Sequence, residues 1–159
     1  MENEQKHILI VEDEAPLKQM YSWMLEDLEF KNVGNVGNYH RGDLMVHIVS
    51  AIAPAREIAR STPLIAVFLD HNLNGVTSEK IIHDIFAKTP ECKIYLVWSS
   101  PDAQMDAVKR ELKETKINRA HIILSKKNDL RKIFQRDIIN ISSRPVPKDS
   151  EPIPDKPSI

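Results

Sequence analysis

Leu64-Ile65-Ala66-Val67-Phe68-Leu69-Asp70-His71-Asn72 is the stretch on which the fold turns. Six apolar residues follow one another with no polar interruption, so neither face is left for water. An unbroken apolar run of this length fits a strand buried on both sides, the situation of a parallel sheet covered by helices. Asp70 closes the run and places a carboxylate at the carboxyl end of that strand.

Three further runs of the same kind stand on either side: Ile8-Leu9-Ile10-Val11, Ile94-Tyr95-Leu96-Val97-Trp98 and Ile122-Ile123-Leu124, with a weaker fifth around residues 33–36. Segments of helical period separate them. Leu17, Met20, Tyr21, Met24, Leu25 and Leu28 outline a first helix, with Pro16 tolerated in its first turn. Ile81, Ile82, Ile85 and Phe86 mark another, with Thr77 or Ser78 placed to cap it. Met105, Val108 and Leu112 outline one after Pro101, and a last begins near Asn128 or Asp129 and carries Leu130, Ile133, Phe134, Ile138 and Ile141. The alternation predicts an α/β protein: a doubly wound, five-stranded parallel sheet with helices on both faces. Residues 41–60 read as an extra helical segment that Pro54 breaks or kinks.

The folded domain is expected over residues 1–141, since that length can bury a continuous core without disulfides. Residues 142–159 hold prolines at 145, 147, 152, 154 and 157 among polar residues, the composition of a flexible tail. Hydrophobic residues are 42% of the chain and the formal net charge is −1, which argues against a basic surface for direct nucleic-acid binding. A single cysteine, Cys92, excludes an internal disulfide. No apolar run is long enough to span a bilayer and no signal-peptide pattern opens the chain, so the expected location is the cytoplasm, without membrane insertion.

In an open parallel sheet, ligands gather beyond the carboxyl ends of the strands. Those positions hold Glu12-Asp13, Asp70, Ser99-Ser100 and Ser125-Lys126-Lys127. Clustered carboxylates repel one another unless a cation sits among them, and hard oxygen donors suit Mg²⁺ better than zinc or copper. One carboxylate could then act as a nucleophile towards a phosphoryl group whose oxygens Ser99 and Lys126 hold. Each residue also has a plainer reading. Asp70 could close a turn, Glu12-Asp13 could serve the N-terminus of the first helix, and Lys126 could be a solvated surface lysine. His71 should point away from Asp70 by strand alternation.

Taken together, Ile8 to Glu14, Leu69-Asp70-His71-Asn72-Leu73-Asn74-Gly75, Trp98-Ser99-Ser100 and Ala120 to Lys126 resemble the signatures of response-regulator receiver domains of two-component signalling. The resemblance implies a flavodoxin-like receiver fold and a Mg²⁺-dependent phosphorylation switch. It implies Asp70 as phosphoacceptor, Glu12 and Asp13 as Mg²⁺ ligands with Asp70 and the backbone carbonyl of Asn72, Ser99 as switch hydroxyl and Lys126 as phosphate contact. A sensor histidine kinase or phosphotransfer protein would supply the phosphoryl group, and a downstream protein would read the output. The face near residues 105–112 and 130–139 would serve as output and dimerisation surface. The chain would be a phosphoacceptor with at most self-phosphorylation and autodephosphorylation chemistry, not an enzyme acting on a separate substrate.

The sequence also departs from the family pattern. Asn74 stands where proline is usual, Ser78 where glycine is usual, and Lys127 replaces a proline and rivals Lys126. Ile123 takes the place of the customary aromatic switch residue, and the spacing from Asp13 to Asp70 exceeds the family norm, an excess most simply assigned to residues 41–60. These departures motivate an alternative, a receiver-like interaction domain that works without phosphorylation. A hydrolase with an Asp nucleophile and Mg²⁺ ranks last, because Glu12-Asp13-Glu14 lacks the Asp-x-Asp spacing of that class.

Overall fold

The computed structural model describes residues 4–34, 37–70, 72–73, 76–77, 79–98, 110, 122–126 and 129–142. Strand β1 (Lys6–Val11) leads into helix α1 (Ala15–Asp27), and then come three strands: β2 (Lys31–Asn32), β3 (Asn38–Arg41) and β4 (Leu44–Val49). Helix α2 (Ile52–Ser61) and strand β5 (Ala66–Asp70) follow, then a small ribbon of β6 (Asn72–Leu73) and β7 (Val76–Thr77). Helix α3 (Glu79–Lys88), strands β8 (Lys93–Trp98) and β9 (Ile122–Lys126) and helix α4 (Leu130–Ser142) complete the described chain.

The main sheet runs β2-β3-β4-β1-β5-β8-β9. Five of its strands, β4-β1-β5-β8-β9, pair in parallel, the number expected, and four of them lie at the clear apolar runs. The chain passes from β1 to β4 on one side and then returns across β1 to β5, β8 and β9 on the other, which is the doubly wound arrangement. Side chains alternate between two cores. Ile8, Ile10 and Phe68 meet Tyr21, Met24 and Leu25 of α1 and Leu130, Phe134 and Ile138 of α4. Leu9, Val11 and Leu69 meet Ala55 and Ala59 of α2 and Ile81, Ile82 and Ile85 of α3. Both faces of β1 and β5 are therefore covered, which is why those strands carry no polar alternation.

Two expectations are corrected. The second parallel strand is β4, inside the segment read as helical, and not residues 33–36. Helix occupies only Ile52–Ser61 of that segment, and Pro54 sits in its first turn, where its missing amide hydrogen costs no helical bond. Val33 lies beyond the end of β2 and is 41% exposed, while residues 35–36 fall outside the described residues. The long spacing between Asp13 and Asp70 is taken up by a hairpin of β2 and β3, which adds two antiparallel strands to the sheet edge. Of the two expected caps, Thr77 pairs with Asn72 in the ribbon and Ser78 lies outside the described residues. The expected helix around Met105 to Leu112 lies outside the described residues, apart from the helical Arg110; of the expected tail over residues 142–159, Ser142 ends α4 and the rest lies outside the described residues.

Gly37 sets how closely the hairpin docks. Its φ is +90°, its carbonyl accepts the Ile48 amide at 2.7 Å, and a Cβ there would fall 2.5 Å from the Ile48 carbonyl oxygen. Neither the conformation nor the space admits a side chain. Gly37→Ala should therefore lower stability by about 1–3 kcal/mol, read as a shift of the urea midpoint. An unchanged midpoint would mean that the hairpin does not dock this closely.

Candidate functional site

The switch point of the winding lies between β1 and β5, and the acidic residues sit at their carboxyl ends. The Glu12 amide donates to the Val49 carbonyl at 3.0 Å, so β1 stays held to β4 one residue beyond its end. Glu12 is 1% exposed. Asp70 is the last residue of β5, lies opposite Val97 of β8 and is 4% exposed. Counting along each strand, Glu12 follows Ile10 and Asp70 follows Phe68 on the face covered by α1 and α4.

A tight turn after β1 brings in a third carboxylate. The Glu14 amide donates to Glu12 Oε1 at 3.1 Å, which folds the chain back over its own side chain. Glu14 is the N-cap residue of α1, yet its side chain makes no capping hydrogen bond. Carboxylate oxygens of Glu12, Glu14 and Asp70 all lie within 4.8 Å of one another, beside the positive end of α1. Asp13, expected as a ligand alongside Glu12, is partly buried and stands outside this trio. Glu14 is the residue that sequence reasoning passed over as a donor, because only the turn geometry reveals that it swings back towards Glu12.

The cluster's charge reaches into the core. Tyr21 of α1 is buried beneath it, and burial, reinforced by the charges of Glu12 and Asp70, holds its phenol well above the ordinary range. The donor set is entirely carboxylate oxygen, two of the three groups being buried, which suits a hard divalent cation such as Mg²⁺ and not a thiophilic metal.

The remaining expected site residues are placed by backbone alone or not at all. Lys126 ends β9 opposite Trp98, at the same edge of the sheet as Asp70, and Asn72 begins the ribbon two residues after Asp70. Ser99, His71, Asn74, Ser78 and Lys127 lie outside the described residues. Ile123, at the position of the customary aromatic, pairs with Tyr95 and packs against the α1–α4 core.

Neither a family model nor a curated protein sequence matches the chain. Solved structures do. A response-regulator receiver protein from Sinorhizobium medicae WSM419 superposes with a TM-score of 0.60 at 17% identity, over 87% of this chain and 94% of that one. A CheY-like receiver domain protein from Methanospirillum hungatei JF-1 gives 0.57 at 13% identity, over 87% and 97%. A receiver domain solved in a BeF₃-activated form gives 0.56 at 15% identity, over 88% and 99%. The chain has the response-regulator receiver fold. Within that receiver fold, Glu12 and Asp70 close the first and third parallel strands in chain order, while the β2–β3 hairpin extends the sheet beyond its five parallel strands.

Proposed function

We propose that the chain is a phosphorylation switch in which Asp70 accepts a phosphoryl group from a histidine kinase or phosphotransfer protein. The observation that carries this reading is the placement of a buried Asp70 carboxylate at the switch point of a receiver fold, within 4.8 Å of Glu12 and Glu14. In the transfer, an Asp70 oxygen forms the bond to phosphorus as the bond to the donor's imidazole nitrogen breaks, giving an acyl phosphate. Glu12 and Asp70, joined by Asp13 or Glu14 and by the Asn72 carbonyl, would hold Mg²⁺. Its charge would offset that of the incoming phosphoryl oxygens. Ser99 and Lys126 are assigned to those oxygens. The added charge then shifts the population towards a state read through protein contacts, not through nucleic acid. Among the described residues no helix is long and apolar enough to cross a membrane.

The expected result is a single phosphoryl adduct by intact mass after incubation with acetyl phosphate and Mg²⁺, lost in Asp70→Asn and in the presence of chelator. No adduct, together with no Mg²⁺-dependent response to beryllofluoride, would sink this reading and leave the phosphorylation-independent interaction domain.

A redox reading deserves comparison, because one structural neighbour is described as belonging to a family of streptococcal redox sensors evolved from two-component response regulators. The single cysteine here opposes it. Cys92 is fully buried, and burial, with the charge of Glu91, pushes its thiol above the ordinary range, away from the exposed thiolate that oxidation needs.

A further inference from the structure

Opposite the α1–α4 face, the edge of the sheet carries three of the chain's six histidines: His7 on β1, His47 on β4 and His40 on β3. Two of them are joined. His7 Nδ1 lies 3.0 Å from His47 Nε2, and His47 Nδ1 lies 3.1 Å from Asn38 Oδ1. The two ring planes differ by 9° with centroids 5.3 Å apart. That separation equals the nitrogen–nitrogen distance plus a ring radius at each end, so the rings lie edge to edge in nearly one plane, with the contact along the line between them. An amide oxygen only accepts, so His47 Nδ1 carries the hydrogen, its neutral Nε2 accepts, and His7 Nδ1 donates. The relay crosses three strands, from β1 through β4 to β3.

We infer that His7, His47 and Asn38 form a proton-sensitive latch that holds the β2–β3 hairpin to the parallel sheet at neutral pH and loosens it on acidification. One added proton is tolerated: an imidazolium at His47 donates from both nitrogens, and His7 changes tautomer to accept. A second proton is not. Two N–H groups would then face each other across 3.0 Å with no acceptor between two like charges. The latch meets the hairpin beside a close approach to the sheet, since Asn38 follows Gly37, whose carbonyl takes the Ile48 amide.

Other charges nearby do not override this. Lys31 shares the face from the hairpin by strand register, with His40 opposite it, and the Lys31 charge only opposes protonation further. Lys6 pairs with Asp43 at the end of the sheet. On α2, over the same face, Arg56 and Arg60 engage Asp84, and Glu57 is exposed. Burial lowers both imidazoles from their ordinary 6.5, and His7 lowers His47 further. With the folded-state values depressed, the opened or unfolded state binds more protons once pH falls below 6.5. Closure is therefore fully present above that pH and weakens as pH drops through it.

The test is native-state hydrogen exchange on the full chain, at the Ile48 amide (bonded to Gly37) and the Val33 amide (bonded to Asn38), with the Thr89 amide on α3 as reference. Between about pH 7.5 and pH 5 the protection factors of Ile48 and Val33 should fall by roughly tenfold relative to Thr89. In His47→Gln, and separately in His7→Gln, that pH dependence should shrink markedly, since glutamine hydrogen-bonds without titrating and the remaining imidazole keeps only the effect of its own burial. Equal loss at all three amides, or the same pH dependence in both variants, would overturn the latch.

Discussion

Phe68→Ala should destabilise the protein by about 3–5 kcal/mol, a third or more of the stability of an ordinary domain. Phe68 is fully buried, and its ring is the centre of an aromatic group drawn from four elements. Tyr95 of β8 stacks on it at 4.4 Å with planes 7° apart, Phe134 of α4 tilts against it at 5.0 Å, and Tyr21 of α1 meets it edge-on at 6.3 Å. Tyr21 and Phe134 also meet edge-on, at 5.3 Å. One ring thus joins two neighbouring strands to both helices of that face. Its removal leaves a cavity that rigid aromatic walls cannot collapse to fill. Urea unfolding should report a lower midpoint with little change in slope, and near-ultraviolet circular dichroism should lose intensity. Phe86, partly buried on the opposite face, provides the comparison: Phe86→Ala should cost clearly less. Equal costs for the two would mean that neither the fuller burial of Phe68 nor its aromatic group adds to stability.

That ring lies two residues before Asp70, and its legibility in the sequence has the same cause as its importance. Strands β1, β5 and β8 are readable because each lies between two parallel neighbours and is apolar on successive residues. Strand β4 lies between β1 and the added hairpin, and its Met45, His47, Ile48 and Val49 are only partly buried. A run of Leu, Met, Val and Ile interrupted by histidine then merges by period with the helix that begins at Ile52. The cue that separates them is Gly42-Asp43. Arg41 pairs with Leu44, so these two residues form the whole turn, and φ of +59° at Gly42 without positive φ at Asp43 fits a type II′ hairpin. The acidic site divides in the same way. Glu12 and Asp70 follow from strand ends, whereas Glu14 depends on a local turn in which its own amide binds the Glu12 side chain.

Asp70→Asn should stabilise the metal-free protein while abolishing its response to Mg²⁺. With three carboxylates inside 4.8 Å, each pair repels by about 3 kcal/mol at an effective dielectric constant near 20, before protonation relieves part of it. Removing one charge should therefore raise stability in chelator by about 1–3 kcal/mol. Added Mg²⁺ should raise the melting temperature of the wild-type chain through mass action and leave the variant unmoved, so the gap between them narrows as Mg²⁺ increases. The companion substitutions locate the third donor. If Glu14 holds the ion, Glu14→Gln should reproduce the pattern and Asp13→Asn should not. If the turn after β1 rearranges around the cation to present Asp13, the two variants should exchange roles, and the trio of the metal-free chain would then be a resting arrangement that binding remodels. A variant at Asp70 that is no more stable than wild type in chelator would mean that the carboxylates relieve their repulsion by sharing protons. The site would then be pH-dependent before any metal or phosphoryl group arrives.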